Sequence, residues 1–280
     1  MRININTAAM TASRSLGNTT ASIGKSVEKL STGYRINKAG DDAAGLVISN
    51  RLRAQVSGLR QAIRNAQDGV SVLQTAEGAL VEVSTMLQRM RDLSVQASNV
   101  ATYDTAARTA AQAEITALRT EITRIGDTTK FGNIALLDGS VSVAAAALTF
   151  QVGANTAAGD SIAITLGAIS STALTLGSID LASATYASVT DAVGLLDTAI
   201  SVVSDMRAAL GALQNRFDSL VSNLSVTTEN LASSESRIRD TDMAAEMVEF
   251  TKNQVLQQAG TAMLAQANQI PQSILSLLRG

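Results

Sequence analysis

The sequence predicts a mainly α protein: a rod of long helices in a coiled-coil bundle, a small β-hairpin region, and a terminal two-helix coiled coil made from both chain ends. Three observations carry this expectation. Apolar residues recur at alternating steps of three and four over long stretches, the spacing of helices wound in a left-handed supercoil. A single proline, Pro271, occurs in 280 residues, so almost nothing interrupts a helix from inside. Aromatics are 2% of the chain and Trp is absent, so Ala, Val, Ile, Leu and Met must form the core, which suits helices packed along their sides.

Each element follows in chain order. The N-terminal segment places Leu16, Ile23, Val27 and Leu30 on one stripe. A boundary follows at STGYRINKAGDDAAG (31–45), with Gly33 and Gly40 as breakers. Leu52, Val56, Leu59, Ile63, Ala66, Val70 and Leu73 then alternate steps of four and three, and Leu80, Val83, Leu87 and Met90 resume the seam. A helix from about Leu46 to Ala97 would be about 78 Å long at ~1.5 Å per residue. Ala111, Ile115, Leu118, Ile122 and Ile125 repeat the rule in a second helix. A third is longer, with Val189, Val193, Leu196, Ile200, Val203, Met206, Leu210, Leu213, Phe217, Leu220, Leu224, Thr227 and Leu231.

Between the second and third helices the pattern changes. From Phe131 to about Tyr186 charge nearly vanishes, and LTFQV (148–152) and SIAITL (161–166) alternate around GANTAAGD, which reads as a β-hairpin. The Ser/Thr-rich part beyond Gly167 reads either as part of the fold or as a low-complexity insert. After the third helix, SSESRIRDTDMAAE (233–246) marks a second boundary.

The C-terminal segment aligns Val248, Val255, Ala259, Met263, Ile270, Ile274 and Leu277. Its stretch NQVLQQAGTAMLAQANQIPQSILSLL (253–278) carries no charge. A narrow apolar stripe at each end needs a partner, and the simplest is the other end of the same chain. Asp41 and Asp42 precede one helix, and Thr241 and Asp242 the other; they suit the capping of exposed N–H groups and the helix dipole. An Asp pair could also serve catalysis, but no base, nucleophile or phosphate loop accompanies it.

Composition excludes much else. With neither Cys nor His, the chain lacks disulfides, a thiolate nucleophile, the commonest general base and the commonest metal ligands, so enzyme, metal and cofactor chemistry are not expected. A net charge of −2 leaves no footprint for nucleic acid, although Arg2, Arg14, Lys25, Lys29, Arg35 and Lys38 make the first forty residues locally basic. The N-terminus lacks the apolar core and cleavage pattern of a secretory signal. The closing segment has too many amides for a membrane span, so it wants a protein surface rather than lipid.

The motifs INTAAMTASRSL, LSTGYRINKAGDDAAGLVISNRL, NRFDSLVSNL, SRIRDTDMAAEMVEF and QVLQQAGTAMLAQANQIPQSILSLLR closely resemble bacterial flagellin, in a minimal form without large outer domains. The resemblance covers roughly the first 140 and last 90 residues. It implies a homopolymer, the hollow helical filament of swimming motility, extracellular and exported without a cleaved signal peptide. Residues 1–42 and 239–280 would form the inner filament core, 43–185 and 186–238 the rod. A hook–filament junction protein has similar ends, but LQQAGTAMLAQANQ favours the filament subunit. The polymerisation core implied is Leu16, Ile23, Val27 and Leu30 with Val255, Leu256, Met263, Leu264, Ile270, Ile274 and Leu277, and the Gln-rich face of the last helix would meet a wet channel. Implied partners are the flagellar type III export apparatus, a flagellin chaperone, and hook-associated and cap proteins. LQRMRDLSVQ (87–96) also resembles the family segment recognised by host Toll-like receptor 5, with Gln88, Arg89 and Leu93 at matching positions and Glu114 as the acidic contact.

Overall fold

The structure is a computed structural model that describes residues 5–99, 103–142, 147–155, 158–182 and 186–279, of 271–279 the backbone course alone. Among these residues lie helices α1 (Thr7–Thr32), α2 (Ala43–Ala97), α3 (Thr105–Thr128), α4 (Tyr186–Arg239) and α5 (Met243–Arg279). Two small antiparallel sheets join them: β1 (Lys130–Phe131) with β2 (Ile134–Ala135), and β3 (Leu148–Gln151) with β4 (Ser161–Ile164). The chain divides into two compact units, residues 56–228 and residues 1–55 with 229–280.

The unit of residues 56–228 is built on the heptad seams. Leu73, Leu80, Leu87 and Met90 of α2, Ile115 and Ile122 of α3, and Leu196, Val203 and Phe217 of α4 all lie in one buried cluster. The β3–β4 hairpin joins that cluster through Ile162 and Ile164, with Leu148 paired to Ile164 and Gln151 to Ser161. Phe150 meets Phe217 edge to face, ring centroids 6.0 Å apart. The Asn65 amide donates to the Gln151 carbonyl at 2.8 Å, fixing the hairpin's register against α2.

The low-complexity alternative fails for the described part beyond Gly167. Ile169, Leu174, Leu176, Ile179 and Leu181 are buried in the same cluster. The Gln112 side chain of α3 donates to the Ile179 carbonyl and accepts from the Leu181 N–H at 2.7 Å. Ile169 passes so close to α3 that a Cβ on Gly126 would sit 2.0 Å from its carbonyl oxygen, so only glycine fits there. Spaced apolar residues thus let a Ser/Thr-rich chain bury enough surface to order.

Helix α4 is, by length and composition alone, long and apolar enough to cross a membrane. Its apolar residues Val189, Leu196, Val203, Leu210 and Phe217 are the buried seam of this unit, which accounts for that hydropathy without lipid.

Candidate functional site: the terminal coiled coil

Residues 1–55 with 229–280 bring the two chain ends together. Asn6 caps α1, accepting from the Ala9 N–H at 3.0 Å, and its amide donates to the Ala267 carbonyl at 2.8 Å. A Cβ built on Gly260 would lie 3.4 Å from Leu16. Lys29 pairs with Glu246 at 3.3 Å, and Tyr34 bridges Asp240. Rising numbers on α1 meet falling numbers on α5, so the helices run antiparallel.

The covered residues define the seam. On α5, between 243 and 270, they are Glu246, Phe250, Asn253, Gln257, Gly260, Leu264 and Ala267, an unbroken four–three alternation. On α1 the matching row is Ala9, Ala12, Leu16, Thr19, Ile23, Ser26 and Leu30. Small and polar side chains dominate both rows. They let the helices approach closely, but they bury little apolar area.

This corrects the expected pairing of α5. Val248, Val255, Met263 and Ile270 do not face α1; they are 67%, 59%, 63% and 46% exposed. At about 100° per residue, seam and stripe lie on well-separated sides of the helix, and the exposed amides of Gln254, Gln258, Asn268 and Gln269 occupy a third side between them. Leu256 also points outward, Leu264 lies in the seam, and on α1 Val27 is exposed while Leu16, Ile23 and Leu30 are half-covered. The side chains of Ile274 and Leu277 lie outside the described residues. Helix α5 thus has an intramolecular seam, an amide face and an uncovered apolar face.

Among the described residues, three grooves mark uncovered apolar surface. One, on α5, runs between Met247, Val248, Thr251, Val255 and Leu256. The second lies between the helices, lined by Thr11, Ala12 and Ser15 of α1 and Leu256, Ala259 and Met263 of α5. The third is walled by Ile5, Met10, Ser13, Arg14 and Leu264.

The four Asp and Thr candidates at the boundaries do different jobs. Asp42 caps α2, accepting from the Gly45 N–H at 2.8 Å, and Asp242 caps α5, accepting from Ala244 and Ala245. Asp41 instead closes the preceding turn by accepting from the N–H groups of Lys38 at 2.9 Å and Asn37 at 3.2 Å. Those two bonds hold its carboxyl below the usual aspartate range. The Thr241 N–H donates to the carbonyl of Gly33, whose φ of 75° ends α1. Beside it the Arg239 guanidinium lies 4.4 Å over the Tyr34 ring, and the Arg35 N–H donates to the Arg239 carbonyl at 2.6 Å. Two crossing points of the chain are thereby clasped by backbone bonds and a cation–π contact. No alternation of apolar residues could have signalled that clasp, although Gly33 and the two caps were visible as punctuation.

A separate group lies in the unit of residues 56–228. Arg89 of α2 and Glu114 of α3 form an ion pair at 2.7 Å, with Gln88 exposed beside them. The Glu114 carboxylate, by its hydrogen bond, holds the Arg89 guanidinium even more firmly protonated. Leu93 departs from the expectation for a contact residue: it is 4% exposed and belongs to the bundle core, because it continues the heptad of Met86 and Met90.

Comparison with known proteins follows this geometry. Residues 3–142 match the bacterial flagellin N-terminal helical region, and residues 193–278 the bacterial flagellin C-terminal helical region. A flagellin of Halalkalibacterium halodurans is 48% identical over 279 residues, and one of Bacillus subtilis 46% identical over 304; each comparison covers 100% of both chains. Among solved structures, a Vibrio parahaemolyticus protein provisionally assigned as a flagellar hook-associated protein aligns with a TM-score of 0.60, covering 71% of this chain and 100% of that one. At 15% identity it speaks for the fold alone.

Proposed function

The chain belongs to the bacterial flagellins, structural subunits of the flagellar filament rather than enzymes, and we propose that it polymerises by laying other copies of itself against the uncovered face of α5. The observation that carries this reading is the exposure of Val248, Val255, Leu256, Met263 and Ile270 on one helix whose separate seam already holds α1. Each such side chain contributes ~1.5–3 kcal/mol when it leaves water. A patch of that size, repeated head to tail, generates an open helical polymer. In this reading residues 1–42 and 239–280 form the inner core, to which Ile274 and Leu277 belong, and residues 43–185 and 186–238 the rod.

The amide face is proposed to line the channel, where amides stay hydrated without offering a charge to passing chains. Substituting Lys at Gln254 and Gln258 should slow filament growth, and unchanged growth would remove the idea. Subunits would leave the cell unfolded through the type III export apparatus, without loss of a signal peptide, after release from a flagellin chaperone. They would assemble between hook-associated and cap proteins to drive swimming.

Electron microscopy of the purified protein tests the main reading. Long tubes of uniform diameter are expected from the wild type and none from Leu256→Asp/Met263→Asp; tubes from both would contradict it. A second role rests on Gln88, Arg89 and Glu114, which share an exposed surface, with Leu93 supporting it from beneath. We propose that Toll-like receptor 5 of animal hosts binds there, meeting an ion pair rather than two free charges. Arg89→Ala/Glu114→Ala should lower the receptor response to monomer, and an unaltered response would remove this role.

A further inference from the structure

The eight methionines are not distributed evenly between the two units. Met90 is fully buried in the helical bundle of residues 56–228, and Met86 and Met206 are packed against its core. In the terminal coiled coil, by contrast, Met10, Met247 and Met263 are 58%, 49% and 63% exposed. Each stands in a different one of the three uncovered grooves. Met243 is exposed as well but lines none of these grooves. The chain has no Cys and no Trp, so thioethers are its most readily oxidised side chains.

We infer that Met10, Met247 and Met263 are sites of reversible oxidation by hydrogen peroxide that switch the free subunit out of polymerisation. The inference rests on the reading that these grooves receive other copies of the chain. The sulfur lone pair attacks one peroxide oxygen, the O–O bond breaks, and the departing hydroxide takes a proton to leave as water. The thioether is oxidised by two electrons to a sulfoxide, and the peroxide is reduced. A flexible apolar side chain thereby becomes a polar one, and a groove wall that gained by leaving water no longer does. Once the grooves are covered in the polymer the same sulfurs are shielded. Oxidation therefore discriminates between subunits waiting to assemble and subunits already in place.

The test treats full-length subunits and finished filaments with hydrogen peroxide, maps sulfoxides by peptide mass spectrometry, and measures the critical concentration for polymerisation. In free subunits Met10, Met247 and Met263 should oxidise well before Met90, and in filaments they should be protected. Oxidised subunits should need at least about tenfold more protein to polymerise, the loss expected from one buried thioether. Treatment with methionine sulfoxide reductases should restore the original value. In Met10→Leu/Met247→Leu/Met263→Leu, whatever its own critical concentration, peroxide should leave that concentration unchanged. Full oxidation at the three sites with unaltered polymerisation would overturn the inference and leave the filament reading standing, as would reductase treatment that removes the sulfoxides without restoring polymerisation. Failure of untreated wild-type subunits to polymerise would sink both.

Discussion

The two units use the same heptad rule to opposite ends. In residues 56–228 the large side chains of the seams, among them Leu73, Leu87, Ile115, Leu196 and Phe217, lie inside. In the terminal coiled coil small and polar residues, among them Ala9, Ala12, Thr19, Ser26, Asn253, Gln257, Gly260 and Ala267, outnumber the large apolar Leu16, Ile23, Leu30, Phe250 and Leu264 along the seam, while Val248, Val255, Met263 and Ile270 face out. The lesson is that a coiled coil can be spaced correctly and still be weak alone, because spacing sets which residues meet and side-chain size sets how much area they bury. A unit of the first kind is complete as a monomer. One of the second kind, in the assembly proposed, would be stabilised as further copies cover its outer face, so that its folding and its assembly become the same event.

This contrast can be broken at several points. The largest effect is expected at Phe217, whose ring is fully buried against Phe150 and Gly69. Phe217→Ala should cost about 3–5 kcal/mol of the stability of residues 56–228, read as a lower denaturant midpoint in free subunits. The outward face should behave differently. Val255→Asp should abolish polymerisation yet change monomer unfolding by no more than about 0.5 kcal/mol, as at an ordinary exposed site; a collapse of monomer stability would mean that the side chain is already covered. Smaller again is the cap of α5. Asp242→Ala removes acceptors for two N–H groups and should cost the terminal coiled coil about 1 kcal/mol, seen as a raised critical concentration with the melting of residues 56–228 unchanged.

The smallest effect is the response to acid at the turn before α2. The Asp41 carboxyl is held below its ordinary value by the N–H groups of Lys38 and Asn37, so its ionised form is favoured in the folded chain. Its contribution is therefore complete above about pH 3.9, the ordinary aspartate value, and disappears as pH falls through the lower folded value. Amide signals of Asn37 and Lys38 should shift in that acid range in the wild type and not in Asp41→Asn.

Much of this was legible in the sequence. Most of the seams of residues 56–228 could be read because large apolar side chains mark the face, but not residue by residue. Ile63, Val70, Val193 and Ile200 are only partly buried, and the smaller Ala62, Gly69, Ala192 and Ala199 just before them take the buried positions. Counting large apolar side chains passes over the small ones that let helices approach. The β3–β4 hairpin was plain, from alternation around a turn rich in Gly, Asn and Asp. The partner of each side of α5 was not. Counting large apolar residues picked out Val248, Val255, Met263 and Ile270, which is the strongest stripe on the helix, but the shorter chemistry of Gly260, Gln257 and Ala267 is what admits α1. A helix with two stripes does not declare which one is used within its own chain. Leu93 illustrates the converse: it lies in a motif recognised as a surface, yet its heptad position carries it inside. The clasp of Tyr34, Arg239, Gly33 and Thr241 was hidden for another reason, since it joins residues far apart in the chain through backbone groups that every residue carries.

The central claim is that residues 56–228 fold on their own contacts whereas the terminal coiled coil needs neighbouring copies. Amide hydrogen exchange on free subunits and on filaments tests it most directly. The account predicts slow exchange in both states for α3 and for the parts of α2 and α4 within residues 56–228, and fast exchange for α1 and α5 in the subunit that becomes slow in the filament. Amides of α1 and α5 already as protected in the free subunit as those around Leu87 and Phe217 would contradict it.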